Sequence, residues 1–80
     1  MSLRVKPSLS VDARNYMCPY PIMLLSMSIK NVRVGEVVEV RATDPAFERD
    51  LASWASETGH EVLELRREGD EVVALVRRVR

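Results

Sequence analysis

The chain contains a single cysteine, a single histidine, a single tryptophan and a single phenylalanine among 80 residues, and it carries no net charge. Each scarcity closes off a class of function. One cysteine can form no intramolecular disulfide and no CxxC redox pair, and with one histidine there is no His/Cys cluster at zinc-ligand spacing, so no metal site is expected. Twelve basic and twelve acidic residues cancel without a long run of either sign, which leaves no electrostatic footprint for nucleic acid or an anionic membrane. Neutral charge and strands without aromatics also oppose RNA binding. There is no glycine-rich phosphate loop and no GxSxG elbow. Without a signal peptide, a transmembrane run or a lipidation motif, the free thiol is expected in a reducing cytoplasm. The length suits one small domain, with residues 1–7 as an N-terminal arm and 8–80 as the folded unit.

What is present is strong periodicity. From Ser8 to Ala13, Leu9, Val11 and Ala13 alternate with Ser8, Ser10 and Asp12, which is strand spacing. Arg14 to Met17 breaks the pattern, and Asn15 tolerates a positive φ, so a turn is expected there. From Pro19 to Val32, Ile22, Leu25, Ile29 and Val32 recur on one helical face, while Tyr20, Met23, Leu24 and Met27 occupy the opposite side with Lys30 as the helix's one charge. Glu36 to Ala42 alternates again. Asp44 and Pro45 are expected as N-cap and first residue of a second helix, with Phe47, Leu51, Trp54, Ala55 and Thr58 inward, Glu48, Arg49, Asp50 and Glu57 outward, and Gly59 as its C-cap. Two apolar strands, His60 to Arg67 and Glu71 to Arg78, flank a Glu68-Gly69-Asp70 turn. The order is βαβαββ, which packs most economically as an α+β two-layer sandwich with two helices on one face of a four-stranded mixed sheet.

The run Tyr16-Met17-Cys18-Pro19-Tyr20-Pro21 concentrates the chemistry. Proline fits a helix only in its first turn, so Pro19 and Pro21 place a helix start immediately after Cys18, with Cys18 expected as its cap. Free N–H groups and the helix dipole at that place favour a thiolate over a thiol. The competing reading is a buried, inert cysteine, since free cysteine is often core. Tyr20, Met23, Leu24 and Met27 have two readings as well: packing against the N-terminal arm or preceding loop, or a binding face of the adaptable, methionine-rich kind. Asp44 reads as a cap, His60 as structural and Trp54 as core.

Asp12-Ala13, Cys18-Pro-Tyr-Pro21, Gly35-Glu36, Asp44-Pro45, Trp54 and Gly59-His60 together resemble the TusA/SirA-like sulfur carrier family, across roughly Leu9 to Arg78. The resemblance implies the same βαβαββ sandwich. It also implies that Cys18 accepts sulfane sulfur as a transient persulfide, needing no other cofactor. Sulfur would come from a donor protein such as a cysteine desulfurase or a rhodanese-like protein and pass to an acceptor protein, a carrier's role rather than that of a stand-alone enzyme. Pro19, Pro21, Asn15 and Asp12 would position the motif in a monomer or weak dimer. The chain departs from the family pattern at Asn15, where glycine is frequent, at Tyr20, where glutamate is frequent, and at Met17, Ser26 and Met27, where basic residues are frequent. Those substitutions leave an apolar surface where charge would stand and point to a different partner. The alternative is a regulatory or scaffold module that binds through the first helix, with Cys18 structural.

Overall fold

A computed structural model describes residues 6–80, so all but the last two residues of the expected arm lie outside the described part. Four strands form one sheet in the order β1-β2-β4-β3: β1 (Leu9–Ala13), β2 (Val37–Ala42), β3 (Glu61–Glu68) and β4 (Glu71–Arg77). β1 runs parallel to β2, in register from Leu9 opposite Val38 to Ala13 opposite Ala42. β4 is antiparallel to both β2 and β3. Helices α1 (Tyr20–Ser28) and α2 (Phe47–Thr58) provide the two crossovers. The βαβαββ order, the mixed sheet and the one-sided helical layer are as the periodicity requires.

The core lies between sheet and helices. Val38, Val40, Ala42, Ala74 and Val76 from the sheet meet Leu25 and Ile29 from the α1 side and Phe47, Leu51 and Trp54 from α2. Ile22, expected with Leu25 on the inner stripe, is only partly covered, and Leu24, expected outside, packs against the core. The buried stripe of α1 runs through Pro21 and Leu25, which leaves Ile22 and Leu24 on its two flanks. The helix ends at Ser28 and tightens into a 3-10 turn over Ile29–Asn31. The Arg78 guanidinium closes that end by donating to the Val32 carbonyl at 2.6 Å.

The opposite face of the sheet has no helical cover, yet Val73 and Leu75 on β4 are buried. Charged neighbours lie over them. Arg41 bridges Glu68 and Glu71 at 3.3 and 3.1 Å, and Arg66 bridges Glu64 and Glu68 at 2.6 Å each. The aliphatic stems of these side chains shield the valine and leucine while their heads stay in water. β3 is the edge strand beside β4, and a bulge between Val62 and Glu64 breaks its register. Such a break blunts an exposed edge against pairing with another chain.

α2 stops where Gly59 enters the left-handed region at φ 83° and donates to the Ala55 carbonyl at 2.9 Å. His60 follows, stacks at 5.4 Å on Trp54, and accepts the Val79 N–H on Nδ1 at 3.1 Å. Partial burial, with Arg78 and Arg80 nearby, lowers the imidazole below its ordinary 6.5. Among the described residues no helix is long and apolar enough to cross a membrane.

Two outcomes follow from this packing. Leu25 is fully buried, so Leu25→Ala costs about 2–5 kcal/mol in denaturant unfolding. His60 is neutral in the fold and its folded pKa is depressed, so its contribution is present above the unfolded pKa and lost as pH falls through the folded one. The melting temperature of the native protein should therefore fall more steeply below about pH 6.5 than that of His60→Gln. Equal slopes would remove His60 from the account.

Candidate functional site at the ends of the parallel strands

Parallel pairing brings the segments that leave β1 and β2 to the same end of the sheet. The β1 exit is residues 14–19, carrying Cys18, and the β2 exit is residues 43–46, carrying Asp44. A hydrogen bond ties them together, from the Asn15 N–H to Thr43 Oγ1 at 2.9 Å. Asn15 sits at φ 70°, the left-handed turn its residue type permits. Asp12 acts one step earlier. It accepts the Arg14 backbone N–H at 3.1 Å and the guanidinium at 2.9 and 3.0 Å, so the turn is clamped on both sides of Ala13. Those bonds hold the Asp12 carboxyl well below the usual range, at about 2. Asp12 and Asn15 thus shape the loop.

The prolines divide their tasks. The Cys18–Pro19 peptide is cis, Pro19 is the N-cap residue of α1, and Pro21 is buried in its first turn. This corrects the expectation that Cys18 caps the helix. The Tyr20 N–H donates to the Met17 carbonyl at 2.9 Å and the Met23 N–H to the Pro19 carbonyl at 3.1 Å, so those early donors are already engaged. Cys18 is exposed, which excludes the inert, buried cysteine.

Its sulfur faces α2 instead. Cys18 Sγ, an Asp44 carboxylate oxygen and an Asp50 carboxylate oxygen all lie within 4.8 Å of one another. The thiol is consequently pushed up from its ordinary value. Donation to the Asp50 carboxylate is the main cause, followed by desolvation and the negative charges of Asp50 and Asp44, with Arg49 opposing. Two carboxylates close to the sulfur thus oppose the expected dipole-stabilised thiolate, at a helix end whose Tyr20 and Met23 N–H groups are bonded elsewhere.

The regular helix α2 begins at Phe47, later than expected, with Ala46 at its cap position. Asp44 keeps the expected capping bonds in the turn that leads into it. Its Oδ1 accepts the Ala46 N–H at 3.2 Å, and its carbonyl accepts the Phe47 N–H at 3.0 Å. The side chain is 5% exposed, and its Oδ2 is buried without a hydrogen-bond partner.

A cavity of about 240 Å³ opens beside the sulfur, lined by Cys18, Pro19, Ile22, Asp50, Ser53, Trp54 and Glu57. Asp50, expected on the outer side of α2, is the residue that sequence reasoning missed. It stands four residues before Trp54 and one before Leu51, both buried, and so lies at the border of the inner stripe rather than opposite it. On α1, outside the cavity lining, Tyr20, Met23 and Met27 are 56, 49 and 66% exposed, and Tyr16 and Met17 of the preceding loop are exposed as well. The apolar face of α1 is thus uncovered among the described residues, with Leu24 removed from it.

Residues 9–78 match the family model described as Sulfurtransferase TusA. A putative sulfur carrier protein of Archaeoglobus fulgidus is 43% identical over 60 residues, which cover 75% of this chain and 82% of that protein. The sulfur carrier protein TusA of Pseudomonas putida is 32% identical over 72 residues, or 90% of both chains. A putative sulfur carrier protein of Aquifex aeolicus is 32% identical over 74 residues, but these span only 38% of its length. The crystal structure of a SirA-like protein from Desulfitobacterium hafniense superposes with a TM-score of 0.77 at 18% identity, covering 90% of this chain and 99% of the other, and so shares the fold. With all four strands and both helices inside the matched segment, the chain belongs to the TusA sulfurtransferase family.

Proposed function

We propose that this protein is a sulfur carrier that holds sulfane sulfur on Cys18 as a persulfide, taking it from a donor protein and releasing it to an acceptor protein in the cytoplasm. The observation that carries the reading is the exposed sulfur on a loop whose geometry is fixed at Asn15, Pro19 and Pro21, beside an open cavity. Relatives with sulfur-carrier names support it from outside the chain. A domain of this size presents one atom more readily than it encloses a substrate.

In the loading step the Cys18 sulfur attacks the outer sulfur of a donor persulfide. One S–S bond forms at Cys18 as the donor's S–S bond breaks, the donor sulfur leaves as a thiolate, and the Cys18 proton passes to it. No external oxidant or reductant is needed. The resting thiol is held protonated beside two carboxylates, so the nucleophile forms at the encounter with the donor rather than in the free protein. The uncovered Tyr20, Met23 and Met27 face would seat the donor or acceptor, since mobile apolar side chains adapt to more than one surface. A monomer or weak dimer leaves that face accessible.

Incubation with a cysteine desulfurase and cysteine should add one sulfur atom per chain by intact mass, removed by dithiothreitol and absent in Cys18→Ser. Met23→Asp combined with Met27→Asp should slow loading from the desulfurase and leave loading from inorganic polysulfide unchanged. A wild-type chain that gains no sulfur from either source ends the carrier reading. Alkylation by iodoacetamide in EDTA-containing buffer gives the pH dependence. The rate should rise with an inflection above about 8.5, the ordinary thiol value, because the folded thiol is held protonated. Asp50→Asn should move that inflection down, and an inflection already below the ordinary value in the native protein would contradict the electrostatics.

A further inference from the structure

The Cys18, Asp44 and Asp50 donors arise from three separate stretches: the β1 exit loop, the turn before α2, and α2 itself. Their convergence within 4.8 Å is a product of the fold. Proximity alone assigns no ligand, but Asp44 adds an independent observation. Its carboxylate is 5% exposed, Oδ1 is occupied by the Ala46 N–H, and Oδ2 is buried with no hydrogen-bond partner while the side chain lies against the other two donors. A buried carboxylate oxygen without a donor calls for a cation or a proton.

The charged neighbours do not supply one. Arg49 is the cation felt at Cys18, but its Nε lies 3.7 Å from Asp50 Oδ1 on a side chain that is 79% exposed. Glu57, across the cavity, adds further acidic character. Two carboxylates and an ionisable sulfur therefore face one point without a buried positive group among the described residues.

The donor types select the cation. A thiolate with two carboxylates is a poor site for magnesium or calcium, which prefer six or more oxygens, and a good one for a borderline thiophilic ion. Zinc binds cysteine sulfur at about 2.3 Å and carboxylate oxygen at about 2.0–2.2 Å, so tetrahedral ligand edges are about 3.3–3.7 Å. Reaching them asks for a modest closing of the cluster, which an exposed Cys18 and a rotatable Asp50 permit. We propose that Cys18, Asp44 and Asp50 form a binding site for a divalent cation of the zinc class, with the fourth position open to the adjoining cavity. Binding displaces the Cys18 proton to buffer and involves no redox change. The site stands whether or not Cys18 carries sulfur. If it does, metal and sulfane sulfur exclude one another at the same atom.

Cobalt titration of the reduced, metal-free protein under anaerobic conditions tests the site. A thiolate-to-cobalt charge-transfer band should saturate at one ion per chain and be bleached by zinc. Cys18→Ser should abolish the band, and Asp50→Asn should weaken binding by about tenfold or more. Glu61→Gln, at the opposite end of the sheet beside the start of β2, should leave it unchanged. One equivalent of zinc should protect wild-type Cys18 from iodoacetamide, with protection reversed by EDTA. Absence of the band at excess cobalt overturns the proposal, as does saturation at one ion per two chains, which is bridging through the cysteine alone. Wild-type affinity in Asp50→Asn also overturns it. Asp44→Asn serves as a second variant where circular dichroism shows it folded. None of these readouts uses a sulfur donor, so failure here is distinct from failure of the carrier reading.

Discussion

The parallel pairing of β1 with β2 is the constraint on which the site depends. In register from Leu9 opposite Val38 to Ala13 opposite Ala42, it releases both strands at one end of the sheet. Each must then reach a helix packed on the same face, so the two exit loops run side by side. That is where open α/β sheets gather ligands, outside the carboxyl ends of parallel strands. The antiparallel half, β4 with β3, closes the sheet and completes the core but contributes nothing to the cavity lining. An Asn15 to Thr43 hydrogen bond then couples the loops directly, so the positions of Cys18 and Asp44 are fixed together rather than independently.

Local electrostatics at that meeting point run against what the β1 exit loop would give alone. A cysteine beside a helix start meets N–H groups and a positive dipole end, an effect of about 0.3–1 kcal/mol that fades within a turn. Here the first N–H groups of α1 bond to Met17 and Pro19, and the sulfur turns to two carboxylates of the neighbouring crossover. Charges within a few ångströms at low local dielectric outweigh a partly spent dipole. Leaving Asp44 Oδ2 without a donor costs about 1–3 kcal/mol, a cost that structures carry mainly where function requires it.

The fold was legible in the sequence because its information is periodic. Alternation over Leu9–Ala13 and Val38–Ala42 and the three-four spacing of Phe47, Leu51 and Trp54 are read from one stretch at a time, and each was placed on the correct face. Cys18 and its prolines were legible for the same reason, as a local helix-start grammar. The acidic partners were not. Asp44 looked complete as a cap, and Asp50 looked like one more charge on the wet side of α2; only the juxtaposition of two crossovers makes them neighbours of the sulfur. Leu24 differs for a smaller reason, since the buried stripe of α1 takes in Pro21 as well as Leu25 and brings Leu24 to its flank. Long-range contact has no signature in a single sequence, and the acidic neighbours of Cys18 are of that kind.

The two faces of the sheet show how the molecule keeps a reactive corner and an apolar helix surface together. Val73 and Leu75 are buried under ion pairs of Arg41 and Arg66, so the sheet's open side presents charge to water. An uncovered apolar surface remains on α1, at Tyr20, Met23 and Met27, on the helix that Cys18 leads into. On the proposed carrier reading, a partner drawn to that surface by apolar burial would reach the sulfur and meet the acidic pair beside it. Complementary positive charge on the incoming surface would then do two things: pair with Asp50, and release the thiol from the carboxylate that keeps it protonated. Recognition and activation of the sulfur would then be a single event, which on the proposed reading suits an atom that must stay unreactive between partners.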